Sequence, residues 1–286
     1  MKRRRAVAAG AILALWLGGL ATLAFRQFDQ GESARLERAA LLVSPGAEYY
    51  GVFDGGRQVG FGSSTIDTSA AWVRITDFVV ADLSTGRPRR RVAARTTARL
   101  TRGLRLTFFR YELGADAGPY TATGTVFGDT LLSLVVSAGH ARPVTQRIRL
   151  HGPLFLPTMV PMVIALGDRA KVGEQYTYDV FDPVTGSSGP VTVRVNAESL
   201  FVVPDSAMFD TTAGRWVAAH EDTLRAWRLE QLGGGRLTGW IDSRGRMVSA
   251  EPLEHLAMHR TAYEMAYLNW TRGRRPRAGD LHRMTP

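Results

Sequence analysis

The chain has 286 residues, 45% of them apolar, a net charge of +10 and no cysteine. That composition excludes disorder throughout and is enough for one large or two ordinary domains with a real core. The absence of cysteine excludes a disulfide framework, a thiolate metal site and a cysteine nucleophile. The charge is not spread over a face as nucleic-acid binding requires. Four of the ten charges belong to Lys2, Arg3, Arg4 and Arg5. A net four more belong to the tail, where Arg272, Arg274, Arg275, Arg277 and Arg283 stand against Asp280.

After Met1–Arg5 comes Ala6–Phe25, AVAAGAILALWLGGLATLAF, a run of 20 residues without a charge. At about 1.5 Å per residue a helix of this length reaches roughly 30 Å, the thickness of a bilayer's hydrocarbon core. The basic cluster before it predicts that the N-terminus (1–5) is cytoplasmic, residues 6–25 form a transmembrane anchor, and the bulk of the chain is periplasmic or otherwise extracytoplasmic. The alternative is a signal peptide cleaved near Gly19 and Ala21. Residues 26–47 read as a linker whose segment Glu32–Val43 forms a short stalk helix, with Leu36, Ala39, Ala40 and Val43 at helical spacing before Ser44-Pro45-Gly46.

From Tyr49 the periodicity is two. Asp54-Gly55-Gly56 is a tight-turn signal between Tyr49–Phe53 and a returning strand Arg57–Asp67. Within that strand Gly60-Phe-Gly62 resembles part of a glycine-rich phosphate loop. Its neighbours are strands, whereas such a loop must open a helix, so the glycines are expected to mark a bend or a close approach of another chain. Strands are then expected at Trp72–Leu83, Arg90–Thr101, Leu104–Leu113, Tyr120–Phe127, Leu131–Ser137 and Val144–Leu150, separated by short turn signals. In PRRRVAARTTARLTRGLRL, Arg91, Arg95 and Arg99 share one parity and Val92, Ala94, Ala98 and Leu100 the other, as in a sheet with one solvated face.

Leu154–Leu166, LFLPTMVPMVIAL, is apolar apart from Thr158 and predicts a helix with Thr158 as N-cap, Pro161 in the first turn and Gly167 as stop. It is too short to span a bilayer. It is either a core helix or a lid over a concave sheet, and in the second case Met159, Met162, Val163 and Leu166 are the candidate ligand-binding residues for an acyl chain or another apolar molecule. Strands resume at Glu174–Asp182, Val191–Val203, Arg215–Ala219, Thr223–Gln231, Arg236–Asp242 and Met247–Glu251, and Thr261–Trp270 closes the sheet domain (48–270) as a short helix or last strand. The tail 271–286 is basic. The fold class read from this pattern is mainly β: a long antiparallel meander forming a curved sheet or partly closed barrel with one short apolar helix, preceded by an N-terminal transmembrane helix.

Three stretches, YYGVFDGGRQVGFGSSTID, GPLFLPTMVPMVIALGDRAKVGEQYTYDVFDPVTG and WRLEQLGGGRLTGWIDSRGRMVSAEP, resemble an uncharacterised bacterial envelope domain found ahead of transglutaminase-like domains. That group is similar in turn to the half-barrels of periplasmic lipoprotein carriers. The resemblance implies an exported sheet domain and transfers no catalytic residue. It also implies an alternative role, as a tethered platform for a separately encoded transglutaminase-like or protease partner.

Few residues invite chemistry. Glu254, His255 and His259 lack the glutamate placement of a zincin helix, and on a strand the two histidines lie about 13 Å apart at about 3.3 Å per residue. His220, Glu221 and Asp222 read as a turn between strands, and Asp205, Asp210 and Asp242 as further turn residues. Gly-x-Ser-x-Gly does not occur. Asn269-Trp-Thr271 has sequon form. No catalytic residue, metal or cofactor is predicted. The expected partners are the membrane, a lipid or acyl chain, and an envelope protein.

Overall fold

The computed structural model describes residues 40–83, 90–115, 118–168, 170–233, 238–253 and 256–273. The expected membrane span, the cytoplasmic N-terminus, the stalk up to residue 39 and the tail beyond 273 lie outside the described residues. Among those described, no helix is long and apolar enough to cross a membrane.

Fourteen strands among the described residues form one antiparallel sheet: β1 (Gly46–Asp54), β2 (Arg57–Thr68), β3 (Trp72–Leu83), β4 (Arg90–Thr101), β5 (Leu106–Ala115), β6 (Gly118–Phe127), β7 (Leu131–Ala138), β8 (Val144–Arg149), β9 (Gln175–Asp182), β10 (Ser187–Asp210), β11 (Arg215–Gln231), β12 (Thr238–Asp242), β13 (Met247–Leu253) and β14 (Leu256–Thr261). Two meanders, β1 to β8 and β9 to β14, are joined where β14 pairs with β1. Gly55 and Gly56 both have positive φ, as a tight hairpin turn requires. The close approach expected at Gly60 is present: a Cβ there would stand 2.2 Å from the Val80 carbonyl oxygen. The β4 parity also holds, with Ala98 and Leu100 buried and Arg95 and Arg99 exposed.

The sheet rolls up without closing. Phe109 in β5 and Phe181 in β9 lie on strands far apart in sheet order, yet their ring centroids are 5.2 Å apart. The Tyr120 hydroxyl of β6 donates to the Pro183 carbonyl at 2.8 Å. No ladder joins edge strands β8 and β9 in the described sheet. Instead Phe155 lies along β9, donating to Asp179 O at 2.9 Å and accepting from Phe181 N at 2.8 Å. This partly covers an edge that would otherwise offer its backbone to other chains.

Each face of the sheet carries a helix. Inside the roll sits α1 (Val160–Val163), which widens into a π-helical turn, Ile164–Asp168. On the outside the π-helical turn Glu264–Leu268 leads into α2 (Asn269–Arg272), which packs Ala266 and Trp270 on Phe61 and Val80. The parity of β3 separates the two faces: Val73 and Ile75 belong to the interior cluster and Val80 to the outer one.

Several expectations need correction. The apolar helix is shorter than Leu154–Leu166, because Leu156 precedes Pro157 and a residue before proline is pushed out of the α region. Thr158 does not cap it; Met159 occupies the N-cap without a side-chain bond, and the Thr158 hydroxyl donates to Asp77 instead. β5 starts at Leu106, because Leu104 turns inward at a φ of 57° and is fully buried. His220, Glu221 and Asp222 lie within β11 and Asp205 within β10. A fourteenth strand, β14, occupies the stretch read only as a possible metal motif. Finally, Met159, Met162 and Val163 are buried in the interior cluster and Leu166 is half-buried against it. An all-apolar helix must be covered all round, and here the rolled sheet supplies the cover.

Candidate functional site: a cleft beneath the β10–β11 arm

β10 and β11 are the longest strands and pair from Val193 with Gln231 out to Asp210 with Arg215, far past the end of β12. Register shifts at Val195/Ala197, Pro204/Ser206 and Ser206/Ala207 interrupt the ladder. Such bulges bend a strand and increase its twist, and Pro204 removes a donor at the same place. The arm thereby bends back across the outer face of the sheet, where α2 holds its tip. Asn269 accepts from Trp216 N and donates to Trp216 O, both at 2.8 Å. The Arg272 guanidinium lies 4.3 Å from the centre of the Phe209 ring.

Between arm and sheet is a cleft of about 850 Å³, within the usual range for small-molecule sites. Its floor comes from Phe53 and Gln58 of the first hairpin and from Ser249, His259 and Thr261 of β13 and β14. Its roof comes from Phe201, Val203, Arg215 and Trp216. Ser249 and His259 are direct cross-strand partners whose Oγ and Nδ1 lie 3.0 Å apart. Trp216 carries a buried indole N–H without an acceptor among the described residues. Arg215, Arg260 and Arg272 line the cleft, and among the described residues no aspartate or glutamate does.

Arg260 is already committed. Its guanidinium donates to Asp242 at 2.9 Å and to the Met247 carbonyl at 2.8 and 2.5 Å, with Glu48 at 3.6 Å. Burial opposes its charge, but Tyr50, Asp242 and Glu48 outweigh that and hold its pKa above the ordinary arginine value. Asp242 accepts from the Arg244 and Arg246 amides, so it does terminate a turn as expected, while also holding a buried arginine. Arg215 has no such fixed partner among the described residues, and Arg272 is held only by the Phe209 ring face.

The four residues predicted from sequence line neither this cleft nor a smaller one of about 510 Å³, where Pro157 and Val160 face β9 and β10. His259 does line the larger cleft, but through its contact with Ser249. Glu254 and His255 fall outside the described residues. The exposed arm also brings Asp205, His220 and Asp222 together, with ligand atoms within 4.8 Å of one another. The Asp205 carboxylate, at 2.9 and 3.0 Å, occupies His220 Nδ1. That hydrogen bond raises the imidazole pKa and lowers the Asp205 pKa. Sequence reading missed the 850 Å³ cleft because its walls come from segments far apart in the chain: the first hairpin, β10, β11, β13, β14 and the C-terminal helix.

No family model matches the chain, and no curated protein matches it in sequence. Among solved structures it is similar to a β-barrel-like protein of the domain of unknown function DUF1849 from Brucella abortus, at 12% identity and a TM-score of 0.47, over 77% of this chain and 95% of that one. It is also similar to a DUF1089 family protein from Pseudomonas aeruginosa, at 8% identity and a TM-score of 0.33, over 68% of this chain and 91% of that one. At these scores the comparisons carry no argument about function, which rests on the chain's own geometry.

Proposed function

We propose that the chain is a membrane-anchored, extracytoplasmic, non-catalytic binding module, and that the molecule it holds is apolar with an anionic end, seated beneath the β10–β11 arm. The observation that carries this reading is the lining of the cleft among the described residues: aromatic and aliphatic walls, with Arg215 and Arg272 facing no aspartate or glutamate there. Apolar walls with a few placed polar groups are the general form of a small-molecule site. A guanidinium without a carboxylate partner favours a carboxylate or phosphate on the guest. The Trp216 N–H supports the same assignment, since a buried donor without an acceptor is costly and a guest oxygen satisfies it. Anchoring through residues 6–25 brings the module to a source of such molecules.

The test uses the full chain in phosphatidylcholine nanodiscs and a dansylated fatty acid, with its methyl ester as comparison. Empty nanodiscs supply the background. The acid is expected to bind saturably and about tenfold more tightly than the ester, a difference of about 1.4 kcal/mol. Replacing Arg215 and Arg272 together by alanine is expected to abolish that preference. Equal affinity for acid and ester, or no saturable binding, overturns the proposal.

A further inference from the structure

In an antiparallel meander alternate turns lie at the same end of the sheet. The β4–β5 and β6–β7 turns therefore share an end with the start of β1, where the chain enters from residues 26–39. Contacts join these three segments into one patch. Ala40 and Val43 insert into the interior cluster, which turns the intervening Leu41 and Leu42 outward, at 75% and 58% exposed. Arg102 of the β4–β5 turn donates to the Ala40 carbonyl at 3.3 Å. Arg105 of the same turn pairs with Asp129 of the β6–β7 turn. Beside Asp129, Phe127 is 54% exposed.

The turn geometry is costly in itself. Leu104 and Asp129, with φ of 57° and 56°, are the non-glycine residues of positive φ among those described, and both sit in these two turns. Such conformations persist only where the surroundings hold them. Here they set Arg102 and Arg105 beside the exposed leucines and phenylalanine, with Arg149 exposed at the end of β8 on the same rim. Asp129, the carboxylate of the β6–β7 turn, is neutralised by Arg105.

We propose that this rim, with Leu41, Leu42 and Phe127 as its apolar contacts and Arg102 and Arg149 as its cations, seats on the surface of an anionic phospholipid bilayer. The occupant follows from where the chain enters. The charge-free run Ala6–Phe25 joins Ala40 through residues 26–39, a tether of at most about 50 Å even when extended. A surface attached to its partner by a short tether meets it at high effective concentration, so three apolar side chains and two arginines suffice where they would not in free solution. Basic residues near an anionic leaflet add attraction that salt weakens. Seated in this way, the rolled sheet stands end-on to the membrane, and a guest leaving the bilayer travels along the sheet to the cleft. The proposal rests on the reading of residues 6–25 as a membrane anchor.

The absence of native cysteine permits a direct test. Leu42→Cys, Phe127→Cys and Val184→Cys, each made singly in the full chain, are labelled with bimane. Val184 is the control, because it is 54% exposed but follows β9 at the opposite end of the sheet. The chain is reconstituted in mixed phosphatidylcholine–phosphatidylglycerol vesicles containing brominated lipid. Labels at Leu42 and Phe127 are expected to be quenched at least about twofold more than the label at Val184, as for side chains at the headgroup boundary. The difference is expected to shrink when phosphatidylglycerol is omitted. Equal quenching at all three positions overturns the proposal. Flotation after carbonate extraction reads the anchor separately: loss of flotation together with preferential quenching at Leu42 and Phe127 rejects the anchor and supports the rim.

Discussion

The Phe109 ring lies 5.2 Å from that of Phe181, joining strands β5 and β9 across the interior of the roll. Phe109 also covers its cross-strand partner Gly124 so closely that a Cβ there would stand 2.0 Å from the ring. The ring is fully buried, so Phe109→Ala is expected to cost about 3–5 kcal/mol. Gly124→Ala is expected to cost about 1–3 kcal/mol by overpacking. The double variant should cost less than the sum, since the methyl fills space the ring vacated. Urea unfolding of the three variants measures this, and strict additivity would count against the packing described.

Asp77 ties the interior helix to the sheet through Thr158. Burial raises its pKa above the ordinary carboxylate range, against the opposing hydrogen bonds from Ser64 and Thr158 and the charge of Arg246. The folded state therefore holds this proton more tightly than the unfolded chain. Its contribution is fully present below the unfolded value of about 3.9 and is lost as pH rises through the raised value. Asp77→Asn keeps an acceptor for Thr158 without the charge. It is expected to be more stable than the parent at neutral pH, with the gap closing towards pH 4. A pH-independent difference between the two urea midpoints would refute this.

His220 is exposed on the arm, and its hydrogen bond to Asp205 raises its pKa. The small stabilisation this gives is present below the unfolded value of about 6.5 and is lost as pH rises through the folded one. In an NMR titration the His220 ring is expected to titrate above the ordinary histidine value, and Asp205→Asn to bring it down. An unchanged midpoint in that variant would assign the shift to Asp222 and Glu221 instead.

Asn269 holds the arm by two hydrogen bonds to the Trp216 backbone. At about 1 kcal/mol net for each bond, Asn269→Ala is expected to loosen the arm by about 2 kcal/mol. Hydrogen exchange should then accelerate at the Trp216 amide while the β3 and β4 amides keep their protection. Unchanged exchange at Trp216 would show that the Arg272–Phe209 contact suffices.

The first seven strands were legible in the sequence because each buries residues of alternating parity, so alternation fixes both strand and orientation, as Ala98 and Leu100 against Arg95 and Arg99 illustrate. The Asp54-Gly55-Gly56 turn and the close approach at Gly60 were legible for the same reason: backbone geometry there demands glycine. The arm was read as separate strands because His220, Glu221 and Asp222 look like a turn when polar residues fall on consecutive positions. A two-stranded ribbon exposed along most of its length puts no apolar demand on them. Composition alone also made Leu154–Leu166 apolar on every side. Whether that meant a lid or a core could be decided only by how far the sheet rolls. This depends on contacts such as Phe109 with Phe181 and Tyr120 with Pro183, between residues more than sixty positions apart. The cleft was hidden for the same physical reason: Phe53, Trp216, His259 and Asn269 come together only after the bulges bend β10 and the C-terminal helix catches its tip. Local periodicity records which face of each strand is dry, whereas the curvature of the whole sheet is set by twist, bulges and long-range packing that no single segment encodes.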